Sequence, residues 1–537
     1  MAIFPKLKVK APKMAHHNLD HYFRTSMAVG PLVPIDCFPC NASDEHFLDF
    51  ESLVNTQALE SPLYGSFRLK IMAFFAGTSL YIPKLWRNGS MAAADGTLDA
   101  NYPTFSIPGT GDGSGTVPTR LNPSHILAYL GFPPYFTNPV IESEVVPGDY
   151  SFNAIPILMY WDIIRHYIVN RQESACKMIT GFNNGFPQIA DIPLTDLDNL
   201  FLNLPVDGGD ITTKFPASIA QIFSSALGGD LAGMALGTYL PDLQNVILNK
   251  DFYEKNVTSV QVSTTGGSFN IDQLVTAKKL WDSRTKDAMA SGTFRDWIRM
   301  HYGVTPKIMD DMPTFLGATS SPIGFEDIRA TTFTDKGQSK QYLGDKGSSG
   351  YGYGSSRRFR ITCDRPGYVM VLAQIVPHVD YDQGLSRYVL SRKLSDEFRP
   401  EFNGIGLQDV LVSDLNASYE NIAEAGTAEA LTPPWRVGVG KQPAWIQYMT
   451  DINKVRGTFC STERSWVLRR DMQATGDPDD TGVYDPTKDT VTSAYINPHD
   501  WNQPFSDQSP TAQNFLVQFN IRHKVRSTVL KRLRPKF

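Results

Sequence analysis

The pattern that most constrains the fold is a long, nearly regular alternation of apolar and polar residues in Asn514–Val529, NFLVQFNIRHKVRSTV. One set of alternate positions is mostly apolar, whereas the other set carries Arg522, Lys524 and Arg526. Because successive side chains of a strand point to opposite faces, this pattern predicts a strand with one buried face and one cationic face. A strand of this kind needs partner strands and a core, so the fold must contain a substantial sheet.

Two segments far upstream also predict strands. FRLKIMAFF, residues 67–75, alternates apolar residues with Arg68 and Lys70, and GYVMVLAQIVP, Gly367–Pro377, is an apolar run that ends at a proline. Helical patterns are fewer, and the clearest covers Ile157–Gln172. Strands and helices do not alternate regularly, which argues against α/β enzyme folds. The sequence therefore predicts a mainly β fold, a jelly roll or a sandwich with long insertions.

Changes in composition divide the 537-residue chain into five predicted segments. Residues 1–30 form a basic N-terminal arm, and residues 521–537 form a basic strand end and tail. Two parts of the β core, 31–177 and 269–520, flank a large insertion at 178–268. The sequence contains no apolar stretch long enough to span a membrane, and its first residues do not have the pattern of a secretory signal.

The charge of the chain is divided unevenly between its ends and its body. The total is −5 at pH 7, yet residues 521–537 carry seven Lys or Arg and no acid. Residues 1–24 also carry an excess of basic residues, so the body between the ends is strongly acidic. Basic ends on an acidic body predict an anionic partner for the ends.

Motifs that would indicate an enzyme or a metal site are incomplete. Cys37 and Cys40 have the CxxC spacing of redox or zinc sites, but no second pair and no nearby His pair supplies four ligands. His378, Asp380 and Asp382 form either a metal or acid–base cluster or a polar turn after a strand. Since no phosphate loop, GxSxG or HExxH motif occurs, the sequence predicts no enzyme, no cofactor and no metal site.

Six longer segments follow one another with a characteristic order and spacing. The first three are HHNLDHYFRTSMAVGPLVPIDCFPC, SPLYGSFRLKIMAFFAGTSLYIPKLWRN and IPILMYWDIIRHYIVNRQE. The last three are TFRDWIRMHYGVTPKIMDDMPTFLGATSSPIGFEDI, RPGYVMVLAQIVPHVDYDQGLSRYVLSRKLSDEFRPEFNGIGLQDV and PAWIQYMTDINKVRGTF. Together they resemble the major capsid proteins of microviruses, most closely the gokushovirus-like branch.

The resemblance implies an eight-stranded antiparallel jelly roll that assembles with itself into a T=1 icosahedral shell around circular single-stranded DNA. It implies that residues 178–268 project as a protrusion and that minor virion proteins are further partners. A partly apolar, helix-like stretch in this insertion predicts either trimerisation or contact with a host receptor. The expected location is the virion, assembled in the bacterial cytoplasm. The residues expected to face the DNA are Lys6, Lys8, Lys10, Lys13, Arg522, Lys524, Arg526, Lys531, Arg532, Arg534 and Lys536.

Two alternative functions also fit parts of the sequence. A stand-alone single-stranded-DNA-binding protein would have basic ends of this kind, although its acidic body would repel nucleic acid. A carbohydrate-active enzyme would need two carboxylates that face each other, and the sequence does not identify such a pair among 55 acids. For the basic residues themselves, the alternative to DNA is contact with acids of a neighbouring subunit.

Overall fold

The computed structural model describes a large part of the chain, with gaps. The described residues are 14–85, 101–107, 121–134, 151–169, 175–183, 186–224, 230–237, 278, 312–329, 334–336, 339–341, 346–355, 359–363, 365–402, 406–415, 438–469, 501–509 and 512–529. The lysines of residues 1–13 and the cations of residues 531–537 that were predicted to face DNA lie outside this part.

Strands dominate the described residues. They are β1 Ala15–Asn18, β2 His21–Met27, β3 Val33–Cys40, β4 Glu45–Thr56, β5 Phe67–Gly77, β6 Pro103–Ser106, β7 Ser151–Asn153, β8 Ala175–Asn183, β9 Phe186–Pro193, β10 Gly209–Asp210, β11 Thr314–Arg329, β12 Thr334–Lys336, β13 Ser339–Gln341, β14 Lys346–Ser355, β15 Phe359–Thr362, β16 Gly367–Pro377, β17 Leu407–Leu411, β18 Gly438–Pro443 and β19 Phe515–Ser527.

Helices are short in the described part of the chain. They are α1 Ile126–Tyr129, α2 Ile155–Ile163, α3 Leu194–Leu202, α4 Ala217–Ser224, α5 Arg387–Leu390 and α6 Val412–Leu415. A π-helical turn, Ile164–Ile168, continues α2. Among the described residues, no helix has the length and apolar character needed to cross a membrane.

Ten strands form one antiparallel sheet, in which eight follow the order β1-β19-β4-β14-β11-β5-β16-β3. β2 also pairs with β19, and β15 also pairs with β4. The long strand β11 pairs with β5 through its N-terminal part and with β14 through its C-terminal part. We call the strands from β1 to the C-terminal part of β11 sheet I, including β2 and β15, and the strands from the N-terminal part of β11 to β3 sheet II.

The sheet curls so that sheets I and II face each other. Phe67 of β5 and Phe515 of β19 are four strands apart, which is roughly 19 Å in a flat sheet, yet their ring centroids are 5.0 Å apart. Phe38 of β3, at one end of the strand order, lies 4.5 Å from the ring of His523 on β19 near the other end. Both contacts require a rolled sheet that encloses its apolar side chains.

The two outer faces of the roll differ. Helix α2 covers sheet II, and the Tyr160 hydroxyl donates to the Leu32 carbonyl and accepts from the Ala235 amide, both at 2.9 Å. As a result, β16 is buried on both faces except at Tyr368. In sheet I, alternate residues of β19 and β4 are exposed or half-buried. A covered sheet II and an open sheet I give the roll two unlike sides.

The structure confirms the mainly β, jelly-roll-like fold and the three strands predicted from the sequence. The described main sheet contains ten strands, because the predicted basic arm contributes β1 and β2 beside β19. The arm was predicted without strands since its few apolar residues give no core signal. The predicted helix at 157–172 is present as α2 with its π turn. Every residue of α2 is buried except the half-buried Pro156, so this helix has no solvent-exposed face, and residues 170–172 of the prediction lie outside the described part.

The described part of the predicted insertion packs onto the same core as the roll. Leu197 of α3, Ile219 of α4 and Met234 are completely buried there. The Leu32 amide also donates to the Ala235 carbonyl at 3.0 Å, which links the insertion to the segment before β3. The projection of residues 178–268 from a shell stays a prediction, and residues 238–268 lie outside the described part.

Candidate nucleic-acid interface

Three of the predicted cations lie in one row on the outer face of sheet I. Arg522, Lys524 and Arg526 are exposed along β19, whereas His523 and Val525 between them are buried. The alternation predicted from the sequence therefore places the cations on the open side of the roll. The other predicted contact residues are outside the described part of the chain.

Neighbouring strands place acids beside two of these cations. Arg522 pairs with Glu51 at 2.7 Å, and Arg526 lies 3.6 Å from Glu45, both acids on β4. The two arginine side chains remain 54% and 46% exposed, and pairs this exposed contribute about 0–1 kcal/mol each. Their guanidinium groups keep donors on the solvent side, so these pairs orient the arginines and leave them able to bind a phosphate.

Lys524 has a different environment. Its neighbour in register on β4 is Phe47, whose other neighbour in register is Arg360 of β15. The Arg360 guanidinium lies 5.8 Å from the centroid of the Phe47 ring. No acid pairs with Lys524 among the residues that the structure describes, which makes it the cation of the row most available to an outside anion.

Aromatic side chains share this outer face. Tyr22 of β2 and Tyr351 and Tyr353 of β14 are 52–60% exposed. Tyr353 is in register with Leu53 of β4, and Tyr351 with Asn55, so both lie on the same face as the cation row. Exposed rings and cations on one face are the combination that holds single-stranded nucleic acid, by base stacking and phosphate contact.

The polar residues after β16 are taken up by structural contacts. The Asn453 amide Nδ2 donates to Nδ1 of His378 at 2.7 Å, and Asp382 forms a buried ion pair with Arg469. These contacts tie the end of β16 to residues 453–469. They favour the interpretation of PHVDYDQG as a structural turn, as opposed to a metal or acid–base cluster.

A cluster that the sequence did not predict lies inside the roll. The ligand atoms of Cys40, His46 and Cys363 lie within 4.8 Å of one another, and all three residues are buried. The sequence points instead to Cys37 as the partner of Cys40, whereas the fold brings in Cys363 from a distant segment. The only signal in the sequence is the presence of Cys and His residues, which does not specify their pairing.

Comparison with known proteins bears on this architecture. A family model described as phage capsid protein (F protein) matches residues 211–477, about half of the chain. The chain belongs to this phage F capsid protein family. No curated protein matches the chain.

Membership of the F capsid protein family agrees with the resemblance to microvirus major capsid proteins found in the sequence. The family is structural, so the chain is a component of a phage capsid and its place is the virion. The matched residues include β11 to β18 and exclude β19, so the role of the cation row has to be argued from its geometry.

Proposed function

We propose that this F-family protein is a major capsid protein that assembles with itself into a small T=1 icosahedral shell enclosing circular single-stranded DNA. The observation that carries the proposal is the family match on a rolled sheet with one covered face and one open, cationic face. The resemblance to gokushovirus-like proteins supports the shell geometry and the form of the genome. Assembly in the bacterial cytoplasm, with minor virion proteins as partners, follows from the same resemblance.

The open face of sheet I is proposed to point towards the genome. Sheet II carries α2 and the described part of the insertion on the opposite side of the roll. If the insertion is on the exterior, the cation row is on the interior. Arg522, Lys524 and Arg526 would then neutralise phosphates.

The basic terminal residues support this orientation through their points of attachment. Ala15 of β1 is in register with Ser527 of β19. The chain therefore enters β1 and leaves β19 side by side, next to the cation row; in sequence, the lysines of residues 1–13 precede β1 and the cations of residues 531–537 follow β19. Their proposed role is to bind the same DNA, and the alternative role is contact with acids of a neighbouring subunit.

An exposed apolar surface supports self-assembly, because exposed patches of this kind mark protein contacts. Tyr388 and Leu394 are 75% and 77% exposed. Four residues after Leu394 in the sequence, the ring of Phe398 lies 5.5 Å from Trp445 and 5.9 Å from Tyr448. A second copy of the chain is the proposed partner of this surface, since every contact in a closed shell is repeated around its symmetry axes.

Charge placed on this surface should block assembly. We expect Leu394→Asp to reduce the yield of particles by about tenfold or more, because contact between copies would bury an unpaired carboxylate. Particles and subassemblies are measured by sedimentation and negative-stain electron microscopy. Leu202→Asp is the matched control, because Leu202 is 76% exposed on α3 and should tolerate the charge. Normal assembly of Leu394→Asp would show that this surface is not a contact between copies of the chain. A wild-type protein that stays monomeric would contradict the proposed shell itself.

The insertion is proposed to attach the virion to a host receptor. Deleting most of residues 178–268 would remove buried core residues such as Met234, so a narrower change is needed. Replacing residues 240–268 with a Gly/Ser linker of equal length should preserve particles and abolish adsorption to host cells. The control places the same linker at residues 471–499 and should still adsorb. Unchanged adsorption of the first variant would rule out attachment through residues 240–268.

A further inference from the structure

The buried cluster of Cys40, His46 and Cys363 joins the two places where the chain passes between sheets. Cys40 ends β3 of sheet II, and His46 is the second residue of β4 in sheet I. Cys363 directly follows β15 of sheet I and precedes β16 of sheet II. The three side chains are only 1–3% exposed. They therefore lie at one end of the roll, where both crossings meet.

Backbone hydrogen bonds hold these segments together. The Ser43 amide donates to the Cys363 carbonyl at 2.8 Å, and the Cys363 amide donates to the Asp44 carbonyl at 2.9 Å. The turn between β3 and β4 is closed by the Asn41 amide, which donates to the Asp44 carboxylate at 3.0 Å. The positions of the cluster residues are thus fixed by the fold, as a metal site requires.

The imidazole of His46 has one nitrogen available for a ligand. Its Nδ1 is 2.9 Å from Nε2 of His523, so a hydrogen bond occupies that side of the ring. Its Nε2 is buried and has no hydrogen-bond partner among the described residues. Metal-bound histidines commonly donate their second ring N–H to a neighbour in this way, which fixes the tautomer and the ring. The ring of Phe38 packs on both histidines at 5.2 and 4.5 Å and keeps the site dry.

The donors fit zinc in type and spacing. Zinc prefers thiolate and imidazole ligands in a tetrahedron, with donors roughly 3.5–3.8 Å apart, and here all three ligand atoms lie within 4.8 Å of one another. Asp44, whose Oδ1 is buried without a hydrogen-bond partner among the described residues, adjoins the cluster.

We propose that Cys40, His46 Nε2 and Cys363 bind a structural Zn²⁺ ion, with the fourth position taken by water or by Asp44. Binding converts the two thiols to thiolates and releases their protons to solvent. The ion joins β3, β4 and the β15–β16 connection, so it ties sheet I to sheet II at this end of the roll. The ligands come from opposite regions of the sequence, and a folded subunit is needed to bring them together.

The metal content of untagged, full-length particles purified without chelator tests the proposal. Wild-type particles should contain about one Zn²⁺ per chain, measured by elemental mass spectrometry. Protein that is stripped of metal and refolded with Co²⁺ should show the thiolate-to-cobalt absorption bands of a site with two cysteine ligands. Both measurements use the wild-type chain, so they do not depend on whether a variant folds.

Substitutions then identify the ligands. Cys40→Ser and Cys363→Ser should lower the zinc content on the order of tenfold or more. Two control variants should retain zinc. Cys37→Ser changes the other cysteine of the CxxC pair, and Cys176→Ser changes a buried cysteine outside the cluster. Zinc-free wild-type particles without cobalt bands, a Cys40–Cys363 disulfide in unreduced particles, or equal zinc in Cys40→Ser and Cys37→Ser would each overturn the proposal.

Discussion

Particles in which Arg522, Lys524 and Arg526 are all replaced by glutamine are expected to contain much less DNA than wild-type particles while still forming shells. For single-stranded DNA, each lost phosphate contact reduces the slope of log binding constant against log salt concentration by about 0.7 in magnitude. The slope for the triple variant should therefore be smaller by about 2. Glutamine keeps a long polar side chain on the exposed face of β19, so the buried residues between are unaffected. The ratio of absorbance at the nucleic-acid and protein maxima of purified particles measures the DNA.

A charge-matched control separates a local effect from a general one. Lys214, Lys454 and Arg456 are exposed and lie outside sheet I, none of them belongs to the proposed assembly surface around Leu394, and their replacement by glutamine removes the same charge. This control should package DNA normally if the row on β19 is the binding surface. Failure of the β19 variant to form shells at all would instead assign the row to contacts with a neighbouring subunit. A normal DNA content would contradict the inward orientation of sheet I.

The second large effect is expected in the core. Phe515 is fully buried, with its ring 5.0 Å from Phe67 of sheet II and 5.4 Å from Phe505. Phe515→Ala should lower the free energy of unfolding of the subunit by about 3–5 kcal/mol, because a cavity replaces a ring where the two sheets meet. Urea unfolding of unassembled subunits, followed by tryptophan fluorescence, measures the change from the transition midpoint at constant slope.

The adjacent residue provides the control for this substitution. Leu516 is 47% exposed on the opposite face of the same strand. Leu516→Ala should change the free energy of unfolding by no more than about 0.5 kcal/mol. Equal losses for the two variants would mean that β19 does not separate a core face from a solvent face, and the proposed binding surface would fail with it.

The sequence predicted those parts of the fold that depend on local pattern. β16 was predicted with its observed bounds because an apolar run ending in proline is a self-contained signal, and β19 because its alternation is long. β1 and β2 were missed because they are ordered by pairing with β19, which the sequence of residues 1–30 does not show. The burial of the insertion likewise depends on α2, a partner that it meets only after folding.

The candidate site, like the fold, could be predicted from the sequence only where it depends on local pattern. The cation row follows from the two-residue period of a strand, so Arg522, Lys524 and Arg526 could be placed on one face without a structure. The positions of their glutamate partners and of the tyrosines of β14 could not be predicted from the sequence, because strand order and register decide which residues share a face. The proximity of Cys40 to Cys363 could not be predicted either, because it depends on two chain crossings that meet at one end of the roll.

The register of Ala15 with Ser527 has a consequence for how such a shell can evolve. Basic residues that are gained or lost before β1 or after β19 leave the sequence of every described strand of the roll unchanged. If the particle encloses DNA as proposed, the charge that balances a longer or shorter genome varies separately from the strands that shape the container. Selection would then tune cargo capacity at the two chain ends while the described strands stay constant.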